Sequence, residues 1–293
     1  NNKGRKQKKL WTARASGDKI VYYRADNEKD EAAYIASEID HLVGQVLPVG
    51  SDGDKAKNGD SLEYRDVAIL YRTNAQSRTF EEAFTRRKIP YRVLGGMRYY
   101  DRKEIKDMMA YMRLVLNPAD DLSFVRIINE PKRGVGEKTL EKLRALAAVR
   151  GESLFQTLCD EEVASGLSGK SAASVAEMMR VLTEIEREKE NLRVSDIYEA
   201  LLEKTGYYNA LEIQHTVESE GRIENLMEFR SVIVDYEQED SMLSLADFLE
   251  RIALFAEIDN HDASEDTVTL MTMHSAKGLE FPIVFLPGME DGL

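Results

Sequence analysis

The sequence has little of several residue types, and each scarcity excludes a class of protein. Cys159 is the only cysteine among 293 residues, which excludes an internal disulfide and a cysteine-based zinc site. No apolar run approaches the roughly 20 residues that a membrane-spanning helix needs. The basic residues 1–9 are not followed by the hydrophobic stretch of a secretory signal. These absences predict a cytoplasmic protein with no membrane partner.

Positive and negative charges are distributed unevenly along the chain. The net charge of −13 would by itself argue against nucleic-acid binding. Residues 1–150, however, carry a net charge of +8, and residues 151–262 carry −17. Such a chain can present one face to phosphates and another to solvent or to a basic partner. Whole-chain charge therefore does not exclude nucleic acid.

The order of apolar patterns predicts an α/β fold with a helical insertion. We expect strands over 19–23, 67–71 and 91–94, and helices over 28–43 and 75–88, which together indicate a parallel sheet. From 102 to 258 the periodicity is helical. The expected helices are 102–116, 121–129, 137–150, 152–159, 171–190, 195–204, 219–237 and 244–257, with Asp120, Ser195 and Ser244 as N-caps. The acidic loop 259–266 leads back to a strand, so the insertion spans about 101–260.

The run 268–288 is the most informative stretch of the chain. Two strand-like segments, 268–273 and 283–286, enclose a polar turn that contains four functional side-chain types. These are Thr272, His274, Lys277 and Glu280. Loops at the carboxyl ends of parallel strands commonly bind ligands, which favours phosphate or nucleotide handling. A solvated turn without a ligand is the alternative.

Three further segments carry side chains suited to nucleic acid. Arg72, Asn74 and Arg78 follow an apolar strand and open a helix, where anions are favoured; helix capping is the alternative. Arg98 and Tyr99 pair a cation with an aromatic ring, as in single-strand binding, or else Tyr99 packs in the core. The last segment, 131–143, resembles a helix-hairpin-helix element that grips duplex backbones. Its glycines could let backbone N–H groups approach a phosphate, or the turn could have no ligand.

The triplet Gly169-Lys170-Ser171 fits a relaxed phosphate-loop pattern, but such a loop needs a buried strand before it. The preceding segment has a helical and acidic character, so we reject it as a nucleotide site. The sequence holds no other triplet of this kind. The histidines His41, His215 and His261 have no partners at catalytic or metal-ligand spacing, and we predict no metal site.

Taken together, these motifs resemble the UvrD/PcrA/Rep group of superfamily 1 DNA helicases. The matching segments are LYRTNAQSR, GGMRYYDRKEIKD, PKRGVGEKT and MTMHSAKGLEFPIVFLPGMEDG. The resemblance implies that residues 1–100 and 261–293 belong to an incomplete RecA-like motor domain, 2A. Residues 101–260 would be the helical insertion 2B, with Gly95-Gly96 and the loop 259–266 as hinges.

The resemblance also implies roles for individual residues. Single-stranded DNA would contact Arg72, Asn74, Arg78, Arg98, Tyr99, Thr272, His274 and Lys277. Duplex phosphates ahead of the fork would contact Arg133, Gly134, Gly136 and Thr139. Gly278 and Glu280 would face the ribose of ATP.

The resemblance further implies that ATP and Mg²⁺ act in an intact 3′-to-5′ helicase used in repair and replication. The chain starts without Met and stops directly after a strand, so we expect a fragment that binds junctions of single- and double-stranded DNA. Its phosphate loop and arginine finger would lie outside the sequence, and we therefore expect the fragment to be inactive as an ATPase. The alternative is a protein-interaction module that docks a basic partner, such as a repair or replication factor, through its acidic region.

Overall fold

One parallel sheet organises the two ends of the chain. The computed structural model describes residues 19–45, 61–94, 96–167, 169–258 and 266–290. Within these ranges the strands are β1 (Val67–Tyr71), β2 (Tyr91–Val93), β3 (Val268–Thr272) and β4 (Ile283–Phe285). Their order is β2-β3-β1-β4, and every neighbouring pair is parallel. The predicted α/β class is confirmed.

Two helices pack against the sheet and share a core with it. The helix α1 (Glu28–Leu42) begins at Asn27, whose side chain accepts a hydrogen bond from the backbone of Asp30, and α2 (Ser77–Arg87) follows β1. Both give apolar side chains to a cluster with the strands. Its most deeply buried members are Ala32, Ala36, Ile39, Val67, Ile69, Tyr71, Phe84, Val268 and Leu270. The run Val67–Tyr71 is apolar throughout, and all but Leu70 are buried, as expected of a central strand in a parallel sheet.

The described chain between β2 and β3 is helical and has a separate core. Its helices are α3 (Lys103–Leu116), α4 (Asp121–Ile127), α5 (Glu137–Arg150), α6 (Leu154–Leu158), α7 (Glu161–Ser165), α8 (Gly169–Glu188), α9 (Val194–Lys204), α10 (Tyr207–Glu212), α11 (Val217–Glu239) and α12 (Leu245–Ile258). The helix α3 is almost wholly buried and contacts α4, α8, α9, α11 and α12. The second apolar cluster therefore forms around α3.

The predicted strand over 19–23 is wrong. These residues form no strand, and Ile20, Val21 and Tyr22 are exposed. Tyr23 instead stacks on Tyr34 of α1, with 3.7 Å between the ring centroids. The composition favours a strand, but strand propensity depends on a neighbour that shares hydrogen bonds and packing. This segment packs on a helix through a single ring.

The remaining predictions concern helix N-caps and short helices, and only some of them are correct. Asp120 caps α4 by accepting a hydrogen bond from Ser123 N, and the Ser244 hydroxyl accepts one from Asp247 N, as predicted. Ser195 is not an N-cap, because α9 begins one residue earlier and buries Ser195. The short helices α7 and α10 were not predicted, whereas α6, also of five residues, lies within the predicted helix 152–159.

Several predicted segments lie outside the described residues. They are the basic residues 1–9, Gly95 of the proposed hinge pair, and 259–265 of the acidic loop; residues 10–18 and 46–60 also lie outside the described ranges. No described helix is both long enough and apolar enough to cross a membrane. The described residues also hold no cluster of three or more His, Cys, Asp or Glu side chains arranged for a metal ion.

Candidate nucleic-acid interface

Three of the four predicted motifs lie together at the carboxyl edge of the sheet. Strands β1 and β3 pair in parallel with Tyr71 opposite Thr272, and Met273 N donates to Tyr71 O at 2.8 Å. The chain leaves β2 at Leu94, whose N–H donates to Leu270 O of β3. The loops after β1, β2 and β3 therefore start side by side. A methyl group built on Gly96 would lie 3.9 Å from Asn74 Oδ1, so two of these loops nearly touch.

The turn after β3 holds its polar side chains on a fixed backbone. The N–H groups of Ser275 and Ala276 both donate to Thr272 O, and the hydroxyls of Thr272 and Ser275 are 2.9 Å apart. Gly278 has a φ of +87°, which costs little only for a residue without Cβ. On this turn His274, Lys277 and Glu280 are exposed, and Thr272 is half-buried.

The loop after β1 presents two of its three predicted residues. The side chain of Gln76 accepts hydrogen bonds from the backbone N–H groups of Arg72 and Thr73, both at 3.0 Å, and so closes the loop. Arg72 and Asn74 are exposed. Both side chains are therefore accessible to a nucleic-acid strand that crosses the carboxyl edge of the sheet.

Arg78 does not fit the DNA contact that was expected of it. It is 2% exposed, and its guanidinium forms ion pairs with Glu82 at 3.1 Å and with Glu228 of α11 at 2.7 Å. Burial disfavours its charged form, but the two carboxylates more than offset this and raise the pKa of Arg78 above its ordinary value. Arg78 therefore joins α2 to the helical region and faces away from solvent.

Tyr99 likewise does not fit a base-stacking role. Its ring is fully buried, and its hydroxyl donates to the backbone carbonyl of Asn225. Burial also holds the pKa of Tyr99 well above its ordinary value. The core-packing alternative describes this residue. Arg98 beside it remains half-exposed, with its guanidinium 5.3 Å from the centroid of the Tyr91 ring.

Sequence reasoning did not single out Arg102, which connects the sheet edge to the helical region. Its guanidinium donates to the Asn74 carbonyl, to the Ser77 hydroxyl and to Asn225 Oδ1 of α11, at 2.7 to 2.8 Å. Asn225 in turn donates to Glu104. No local pattern signals this role, because Asn225 lies more than 100 positions further along the chain.

The glycine loop before α5 exposes a second set of predicted residues. Gly134 and Gly136 are exposed, as are Lys132 and Lys138, while Thr139 is half-buried. Gly134 has a φ of +77°. Gly136 is the N-cap of α5, and the first N–H groups of a helix lack acceptors within it. Cations and free N–H groups at a helix start favour phosphate.

Arg133 does not belong to that exposed set. It is 5% exposed, and its guanidinium donates to the carbonyls of Ile127, Glu130 and Thr205 and to the hydroxyl of Tyr111. The expected phosphate contact does not fit this position. Its charge is used inside the protein, so Lys132 and Lys138 are the cations of the loop that face solvent.

The rejected phosphate-loop triplet lies at the start of α8. The element before it is α7, a helix. The hydroxyl of Ser171 donates to Gly134 O at 3.1 Å, which places this helix start behind the glycine loop. Ser171 of this triplet therefore supports the backbone of the glycine loop.

Ion pairs within residues 151–262 engage some of the acidic side chains of this region. Arg180 bridges Glu177 and Glu184, Arg193 pairs with Asp196, and Arg230 pairs with Glu199. The net charge of −17 already counts these arginines, so the pairs locate the acidic side chains that are bridged and leave the protein-docking alternative open.

Comparison with known proteins places these surfaces in a family context. The whole chain, residues 1–293, matches the family described as UvrD-like helicase C-terminal domain. Proteins named ATP-dependent DNA helicase PcrA are similar to it over its full length. They include one from Staphylococcus epidermidis RP62A, 44% identical over 295 residues, one from Bacillus subtilis 168, 42% over 299, and one from Staphylococcus aureus COL, 45% over 295. The chain spans 38% of the length of each.

Proposed function

Because the chain belongs to the UvrD-like helicase C-terminal domain family, we propose that it is part of an ATP-dependent 3′-to-5′ DNA helicase that unwinds duplex DNA in repair and replication. Residues 1–100 and 261–293 would form the motor domain 2A, and residues 101–260 the insertion 2B. The turn after β3 carries this proposal, since it exposes His274 and Lys277 beside Arg72 at the carboxyl edge of a parallel sheet.

A single strand of DNA would run along this edge. Arg72 and Lys277 supply positive charge, and Asn74, Thr272 and His274 supply hydrogen-bonding groups. Contacts of this type to phosphate and sugar set register without reading sequence, which suits a motor that must move along any DNA. The backbone hydrogen bonds of the turn hold these groups in place before the strand arrives.

We expect Lys277→Ala to weaken single-strand binding in a salt-dependent way. Losing one phosphate contact should lower the slope of log affinity against log salt by about 0.7 for single-stranded DNA. Fluorescence anisotropy of a labelled oligothymidylate at several salt concentrations measures that slope. Lys204→Ala, on α9 beside Glu184, is the control and should leave the slope unchanged. Equal slopes for both variants would exclude Lys277 from the track.

The nucleotide would lie on the other side of the same turn. Glu280 is exposed there, and its carboxylate oxygens can accept hydrogen bonds from ribose hydroxyls. Gly278 allows the chain to turn before it. ATP with Mg²⁺, bound in the intact helicase, would supply the free energy for stepping. These residues suit the ribose, whereas the phosphates require a loop that this sequence does not place after a strand.

We expect the isolated chain to hydrolyse no ATP. Phosphoryl transfer needs a phosphate loop, Mg²⁺ ligands and an arginine finger together, and the one Gly-Lys-Ser triplet starts a helix behind the glycine loop. A phosphate-release assay with ATP, Mg²⁺ and single-stranded DNA should give the rate of the protein-free blank. Turnover that rises with protein concentration in a homogeneous preparation would contradict this expectation.

Duplex phosphates would meet the glycine loop before α5. Lys132 and Lys138 are exposed around it, and the helix start adds backbone N–H groups. Lysine side chains and backbone N–H groups can hold phosphates of any sequence, which supports backbone binding at a junction of double- and single-stranded DNA.

Swivelling of 2B against 2A would change how the duplex is engaged. In the sequence, Gly95-Gly96 and residues 259–266 lie at the two boundaries between these parts, and they are the hinges of this proposal. The buried contacts of Arg78 with Glu228 and of Arg102 with Asn225 join the two sides. A swivel must therefore separate these contacts or carry α2 with the helices.

A further inference from the structure

The side chain of Asn129 holds the backbone of the glycine loop through two hydrogen bonds, in the way that a neighbouring β-strand would. Asn129 Oδ1 accepts a hydrogen bond from Val135 N at 3.0 Å, and Asn129 Nδ2 donates to Val135 O. Val135 is the residue between the two exposed glycines, and its side chain is buried. Both backbone polar groups of Val135 are thus held, while Gly134 and Gly136 face solvent on either side.

Arg133 holds the preceding part of the loop. Its guanidinium donates to Ile127 O at the end of α4 at 3.0 Å, to Glu130 O within the loop at 3.1 Å, and to Thr205 O at the end of α9 at 2.9 Å. One side chain thus ties the loop to two helices. Since these acceptors belong to the backbone, the contact fixes the path of the chain.

Ser171 supports the loop from behind. Its hydroxyl donates to Gly134 O at 3.1 Å. A Cβ built on Gly134 would lie 2.8 Å from the Ser171 Oγ and would displace this hydroxyl, and the φ of +77° also favours glycine here. The carbonyl of Gly134 is therefore held on the side of α8.

We propose that Asn129, Arg133 and Ser171 are positioning residues that set the shape of the glycine loop for the sugar-phosphate backbone of duplex DNA. This inference rests on the proposed duplex contact of Lys132 and Lys138. A loop that is ordered during folding loses little conformational freedom when it binds, and affinity gains from that preorganisation. The three side chains act through the loop backbone and need not touch DNA themselves.

The test compares two DNA ligands and an uncharged variant of similar size. Asn129→Leu removes both hydrogen bonds to Val135 without changing charge, and Asn209→Leu, at an exposed position on α10, is the matched control. Affinity is measured for a hairpin duplex with a 3′ single-stranded tail and for the tail alone. We expect Asn129→Leu to bind the tailed duplex about 5- to 20-fold more weakly and the tail unchanged, and hydrogen exchange to quicken at residues 133–137.

Two other variants keep the outcomes distinguishable. Lys132→Ala with Lys138→Ala tests the proposed duplex contact itself, and Ser171→Ala removes one support with little risk to folding. If the lysine variant binds the tailed duplex normally, the proposed contact fails and the inference with it. If the lysine variant loses affinity while both Asn129→Leu and Ser171→Ala bind normally, only the positioning role is overturned. Equal loss for both DNA ligands, with a lower melting temperature, would make Asn129 a residue of general stability and also overturn it.

Discussion

Replacing Arg78 with leucine is expected to lower the free energy of unfolding by about 3–5 kcal/mol, because removing one partner of a buried ion pair leaves the other charge uncompensated. Glu82 is 8% exposed, and the Arg78 guanidinium is its nearest cation, at 3.1 Å. Glu228 would lose the same partner. Urea-induced unfolding, followed by circular dichroism, measures the change.

Arg180 is the natural control for Arg78. It also bridges two carboxylates, Glu177 and Glu184, but its side chain is 59% exposed. Exposed pairs of this kind contribute about 0–1 kcal/mol, so Arg180→Leu should change stability by less than 1 kcal/mol. Similar losses at both positions would mean that burial does not set the value of the Arg78 contacts.

Replacing Arg133 with methionine should be the second large effect. The substitution removes the donors to four backbone carbonyls and to the Tyr111 hydroxyl. A buried acceptor left without a donor costs about 1–3 kcal/mol, so a total loss of about 3 kcal/mol or more is expected. Thermal and urea unfolding both report it.

The neighbouring Lys132 should affect DNA binding and leave stability unchanged. Lys132 is exposed, so Lys132→Met should leave the free energy of unfolding within about 0.5 kcal/mol. It should nevertheless weaken binding of tailed duplex and lower its salt slope by about 0.9. Stability loss at Lys132, or a salt-slope change without stability loss at Arg133, would reverse our assignment of these adjacent cations.

The sequence alone predicts the parts of this protein that depend on local pattern. The apolar run Val67–Tyr71, the periodicity of α3 and the cap at Asp120 are each set by neighbours within a few positions, and each occurs as expected. The segment 19–23 fails because a strand also needs a partner, which its own composition cannot specify.

In the candidate site too, local sequence predicts only part of the result. Arg72 and Arg78 have the same chemistry and lie six positions apart, yet only Arg72 is exposed. The difference comes from Glu228, which lies 150 positions away. Tyr99 and Arg133 face inward for the same reason, since Asn225 and Thr205 receive their hydrogen bonds. Residue type predicts what a side chain can bind, and distant packing decides whether it is available.

The order β2-β3-β1-β4 constrains how this chain can be made. Among the described strands, β1 and β2 do not pair with each other; β3 lies between them and pairs with both. Since β3 begins only at Val268, β1 and β2 leave the ribosome with open edges and keep them while the whole helical region is synthesised. Unpaired edges invite association with other chains. The sheet therefore forms only after the helical region has been synthesised, and that region, whose core is separate, can fold before the strands on either side of it meet.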